Sequence, residues 1–118
     1  MAARDQLFLL PPLFADAKAG AGRFHCPECA QVEGLLSYFP FLRARVEVSY
    51  VDFPRPRSEV IALVGVENQG CPVLVLAGAV PANVTAQHHA PTGRNFVSGY
   101  AAIAAYLAAV YGISEAHP

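Results

Sequence analysis

Residues 23–32 read RFHCPECAQV, and the fold turns on what the segment Cys26-Pro27-Glu28-Cys29 begins. Proline has no amide hydrogen and a φ preset near the helical value, so Pro27 suits the first position of a helix, where the missing donor costs nothing. From there Val32, Leu35, Leu36 and Phe39 fall at i, i+3, i+4 and i+7, the spacing of one buried helical face, and Pro40 stands where that helix should stop. Cys26 is then the N-cap. Unpaired amides and the positive end of the helix dipole favour a thiolate there, which makes it the better nucleophile. Cys29, one turn further in, is placed to attack a mixed disulfide formed on Cys26. Glu28 favours the helix from its first turn yet opposes a neighbouring thiolate, and His25 could donate to the sulfur. At this point a redox dithiol, part of a metal site and an inert helix start are all open.

Outward from this segment, the chain alternates short apolar runs with helical spacings. Gln6 to Leu10 reads as a buried strand ended by Pro11-Pro12, and residues 11–24 as a connection rich in Pro, Gly and Ala. Val46 to Phe53 reads as a second strand closed by Pro54 and Pro56, followed by a helix through Val60, Ile61 and Val64 that Ser58 caps and Gly65 ends. Val73 to Leu76 is continuously apolar, the pattern of a strand covered on both faces. Residues 78–93, GAVPANVTAQHHAPTG, show no period and several breakers and read as a long surface loop. Arg94 to Val97 reads as a short edge strand, and Ser98 as the cap of a last helix with Tyr100, Ile103, Leu107 and Val110 on one side. The order is β-α-β-α-β-β-α: a single α/β domain over residues 1–118, with a mixed sheet of about four strands and a loop insertion at 78–93.

Composition restricts the partners. With 118 residues, 54% hydrophobic and 14% charged, the chain holds enough apolar material for one core. Eight Lys plus Arg stand against nine Asp plus Glu, with no basic run interleaved with aromatics, so no nucleic-acid partner is expected. The first residues, MAARDQLFLLPP, imitate a signal peptide, but Asp5 in the charged region and the prolines that break a short apolar run argue against export. No stretch approaches the roughly 20 apolar residues of a membrane span. A cytoplasmic protein is expected. Three cysteines, Cys26, Cys29 and Cys71, make an odd number, which disfavours a static disulfide framework and favours redox or metal chemistry.

A strand, a Cys-Pro-x-Cys opening a helix, a second strand and helix, and then Cys71-Pro72 before the strand in GCPVLVL together resemble the thioredoxin-like superfamily, within it glutaredoxins and the N-terminal domain of glutathione transferases. The whole chain, through its CPEC, VDFPRPR and PVLVLA segments, is similar to a bacterial thioredoxin-like family of unknown function. The resemblance implies a thioredoxin-like fold with Pro72 as a cis-proline facing Cys26, beside which the backbone of Cys71 is free to pair with a substrate. It implies a thiol–disulfide oxidoreductase with Cys26 and Cys29 as its catalytic pair, Cys71 and Pro72 at the substrate, and no bound cofactor or metal. Arg23 matches a basic position that glutaredoxins use for the glycine carboxylate of glutathione, a candidate co-substrate. Gly99 and Tyr100 stand where transferases carry the acidic residue and serine that hold its γ-glutamyl end, a departure from the pattern.

Other readings stay open. Cys26, Cys29 and Cys71 with one of His25, His88 or His89 would make a Cys₃His zinc set, and Cys26 with a second molecule and exogenous thiols could hold an iron–sulfur cluster. A catalytically silent binding scaffold, dimeric through its apolar last helix, is a third reading. Cys71 also reads as a small buried hydrophobe, and the His88-His89 pair as solvated imidazoles. Arg55 and Arg57 read as solvent-facing or helix-pairing charges without a function, and the tyrosines as packing residues. On the redox reading the partner is a protein or small-molecule disulfide.

Overall fold

The structure, a computed structural model, describes residues 3–118. Its centre is β1 (Gln6–Leu9), in which Leu7, Phe8 and Leu9 are all buried. A strand with both faces covered needs neighbours on both edges and helices on both sides. β1 pairs in parallel with β4 (Glu47–Tyr50) and antiparallel with β5 (Val73–Val75), and β5 pairs antiparallel with β7 (Arg94–Ser98), which pairs antiparallel with β6 (Gln87–His89). The resulting mixed sheet has five strands in the order β4-β1-β5-β7-β6. It is flanked by α1 (Pro27–Tyr38), the single turn α2 (Leu42–Arg45), α3 (Ser58–Val64) and α4 (Tyr100–Tyr111), with α1 packed on α4 and α3 against β7. The α/β arrangement expected from the sequence is present, and it is thioredoxin-like. Among the described residues no helix is long and apolar enough to cross a membrane.

Several local expectations are corrected. The stretch 78–93 is not loop throughout, because β6 lies within it; β7 is therefore an interior strand and β6 the edge. Gln87 and His88 are exposed and His89 half-buried, so main-chain pairing holds β6 with almost no apolar signal. A four-residue turn joins β6 to β7, closed by Gly93 at φ +70°, a conformation that suits a residue without a Cβ. Residues 11–24 contain a two-stranded ribbon of β2 (Phe14–Ala15) and β3 (Arg23–Phe24). There Phe14 stacks on Phe53, with ring centroids 4.4 Å apart.

Neither serine caps its helix. The carbonyl of Arg57 already accepts from Val60 and Ile61, so α3 starts one residue early and Ser58 lies inside it, its hydroxyl donating to Glu59. The N-cap position of α4 is Gly99, at φ +88°, rather than Ser98, so no side chain of its own caps the helix. The buried face of α4 is Ile103, Tyr106 and Leu107, with Tyr100 half-buried and Val110 exposed. Tyr38, at the end of α1, is 82% exposed and does not pack in the core.

Tyr106 and Tyr111 donate their hydroxyls to the buried carboxylate of Asp5, at 2.5 and 2.7 Å. The other oxygen of Asp5 accepts from the Ala77 amide at 2.8 Å. One buried carboxylate thus ties the start of β1, the chain just after β5, and α4. This satisfies the rule that buried charge must be fully hydrogen-bonded.

Candidate functional site

Strand directions bring three connections to one end of the sheet. β1 runs toward the CPEC segment, antiparallel β5 begins at that same end just after Cys71-Pro72, and β7 returns to it before Gly99. The three are stitched together: the Gly99 amide donates to the Pro72 carbonyl at 3.0 Å, and the Tyr100 amide donates to the Glu28 carboxylate at 2.8 Å. The thiols therefore sit where the two helices α1 and α4 both begin.

Cys26 is the N-cap of α1, with extended backbone (φ −78°, ψ 120°), and Pro27 is the first helical residue, as the sequence requires. The Cys26 sulfur accepts the Cys29 amide at 3.4 Å, so an N–H that the helix cannot satisfy internally points at it. The sulfur is half-buried and also lies 3.9 Å from the Cys71 carbonyl, to which it can donate as a thiol. The Cys71–Pro72 peptide is cis, as the resemblance implied. Pro72 is buried, and Cys71 is half-buried just outside the sheet ladder, which starts at Val73.

Cys29 belongs to the buried stripe of α1 with Val32 and Leu36, and is 5% exposed. Its sulfur accepts the Leu10 amide at 3.4 Å. Burial pushes the Cys29 thiol up to about 12, against the pull of the Leu10 amide; the neighbouring Cys26 and Cys71 thiols push the same way as burial. A proton is thus held on Cys29 while the outer sulfur is accessible. All three cysteines are free. Beside the pair, a cleft of about 330 Å³ opens between the Pro11-Pro12 turn and α1, lined by Leu10, His25, Cys26, Cys29 and Glu33 among others.

The remaining candidates distribute unevenly. Arg23 is exposed on β3, paired with Ala15, and is not among the residues lining the cleft. His88 and His89 lie on β6, three strand spacings from β1, or roughly 14 Å. His88 Nδ1 is bonded to Asn95 at 2.8 Å, while His89 bonds Thr92 at 2.8 Å and lies 2.9 Å from Glu67. Among the described residues no group of three His, Cys, Asp or Glu side chains is placed to hold a metal ion.

Two residues gain a place that their sequence context hid. Glu28, ambiguous as a neighbour of the thiols, is the acceptor for the first amide of α4. Arg57, read as solvent-facing or paired with the following helix, is 6% exposed, and its positive charge pulls the Cys71 thiol down against burial. Its Nε and Nη2 donate to the Phe53 carbonyl at 3.0 and 2.6 Å, and its Nη1 to the Gln69 carbonyl at 2.8 Å.

Against models of protein families, residues 4–115 match the family described as "Protein of unknown function (DUF3088)". No curated protein and no solved structure matches the chain.

Proposed function

The chain belongs to the DUF3088 family, of unknown function, and on the geometry of its thiols we propose that it is a thiol–disulfide oxidoreductase with Cys26 as nucleophile and Cys29 as resolving thiol. The observation that carries this reading is the pairing of an accessible N-cap sulfur, held by the Cys29 amide, with a buried sulfur one helical turn away. Helix-start amides stabilise sulfur as an anion, and accessible thiolates are the reactive ones.

In the reaction the Cys26 thiolate attacks one sulfur of a substrate disulfide. A Cys26–substrate disulfide forms, the substrate S–S bond breaks, and the first substrate thiolate leaves and takes up a proton. Cys29 then gives its proton to the second leaving thiolate as its sulfur attacks Cys26, closing a Cys26–Cys29 disulfide. Two electrons pass from the protein to the substrate, and two equivalents of an external thiol restore the dithiol. That recycling suits the cytoplasmic setting expected from a first segment that does not read as an export signal.

The cleft beside Cys26, with Leu10 and the two prolines on one wall, suits an extended apolar segment of a substrate. Glutathione is less well served: the Tyr100 amide, at the position matching its γ-glutamyl site in glutathione transferases, already donates to the Glu28 carboxylate. Reduced protein is expected to release two thiols from a peptide disulfide, ending with Cys26 and Cys29 linked, and Cys26→Ser to lower the rate at least about 100-fold. A protein whose Cys26 alkylates freely at pH 7 but never forms a mixed disulfide with any peptide or glutathione disulfide would overturn the proposal.

A further inference from the structure

The buried arginine and the third thiol are not used by the chemistry above. We propose that Cys71 is a second exchange partner for Cys26, so that the site supports two alternative disulfides, Cys26–Cys29 and Cys26–Cys71. This rests on the redox reading and goes beyond it by assigning a function to Cys71 and Arg57.

Position supports the second pair. The Cys26 sulfur is already 3.9 Å from the carbonyl oxygen of Cys71, an atom only a few bonds from the Cys71 sulfur. Cys71 is half-buried whereas Cys29 is buried, so the two partners approach Cys26 from environments of different accessibility.

Charge supports it independently. Arg57 carries a cationic guanidinium and is buried. Its bonds go to the Phe53 and Gln69 carbonyls, and its guanidinium carbon lies 5.5 Å from the centre of the Phe53 ring. Among the described residues it makes no ion pair with a carboxylate. A buried cation satisfied by neutral dipoles alone leaves its net charge uncompensated, and a neighbouring group able to become an anion lowers that cost. Cys71 is such a group: burial pushes its thiol up, and the positive charges of Arg57 and, to a lesser degree, Arg55 pull it back.

The step balances as ordinary exchange. With a substrate held on Cys26, the Cys71 sulfur attacks Cys26, a Cys26–Cys71 bond forms, the Cys26–substrate bond breaks, and the proton given up by Cys71 goes to the leaving thiolate. The dithiol is oxidised by two electrons and the substrate disulfide is the oxidant.

The test compares Cys29→Ser with Cys29→Ser/Cys71→Ser after reaction with oxidised glutathione, followed by acid quench, alkylation and peptide mapping. In Cys29→Ser, the mixed disulfide at Cys26 is expected to decay to a Cys26–Cys71 linkage, and its lifetime in the double variant to be at least tenfold longer. Equal lifetimes, with no Cys26–Cys71 peptide, overturn the inference and leave the Cys26–Cys29 reaction standing. Failure of the wild-type protein to form any mixed disulfide at Cys26 overturns both. Should Cys29→Ser lose its fold by circular dichroism, the wild-type protein under limiting oxidant decides: a Cys26–Cys71 peptide alongside Cys26–Cys29 supports the inference, and Cys26–Cys29 alone overturns it.

Discussion

At the scale of single residues, two sulfurs one helical turn apart are chemically different because only one is in the core. Cys26 is a cap and half-buried; Cys29 fills the same buried stripe as Val32 and Leu36. Iodoacetamide at pH 7 should therefore modify Cys26 at least tenfold faster than Cys29, with Cys29 reacting only after denaturant is added. Mass spectrometry of timed quenches reads this directly, and comparable rates at the two positions would contradict the structure. The cap role of Cys26 was legible in the sequence, because Pro27 fixes where the helix starts. The inward direction of Arg57 was not. A charged side chain just after Pro56 carries no mark of burial, and its partners are backbone carbonyls contributed by Phe53 and by the distant Gln69.

At the scale of elements, α4 begins without a cap of its own. Gly99 has no side chain to offer, and Glu28 from α1 supplies the acceptor for Tyr100 from 72 positions away in sequence. A Cβ at Gly99 would lie 3.2 Å from that carboxylate oxygen, on a backbone with φ +88°, so the glycine allows both the turn and the close approach. Glu28→Ala should cost about 1 kcal/mol, the usual effect of losing a cap, and Glu28→Gln less, because its amide oxygen can still accept. Urea denaturation of the three proteins tests the ranking, and an unchanged midpoint for Glu28→Ala would remove the cap from the account. Ser98 looked like the cap because serine usually is one; the pairing of β7 with β5 extends through Ser98 itself and leaves the cap position to the next residue.

At the scale of the whole molecule, buried protonated groups make the fold sensitive to alkali. In the folded state the Cys29 thiol is raised from 9.0 to about 12 by burial, so the folded chain keeps a proton that the unfolded chain releases above pH 9. The associated stability is present in full below pH 9 and lost as pH climbs toward 12, at up to about 1.4 kcal/mol per pH unit. Tyr106 and Tyr111, raised by burial and by the Asp5 carboxylate they both contact, add losses of the same sign above pH 10. Urea midpoints at pH 8, 9.5 and 10.5 should fall progressively, and Cys29→Ala should shed the part of the loss that begins at pH 9. A midpoint flat across that range would show that these protons are not held by the fold.

The sequence by itself determined the α/β class, the order of the main elements, the start of α1 at Pro27 and the placing of Cys26 and Cys29 one turn apart at that start. Each follows from local causes: apolar spacing, proline's fixed φ, and two cysteines one turn apart. The tertiary structure alone decided that β6 closes the sheet as a fifth strand, that Glu28 serves α4, that Asp5 joins β1 to the last helix, and that Arg57 is buried on the Phe53 and Gln69 carbonyls. These depend on main-chain pairing or on polar groups brought together from distant positions, where satisfaction of buried hydrogen bonds and charge acts between neighbours in space and leaves no periodic mark along the chain.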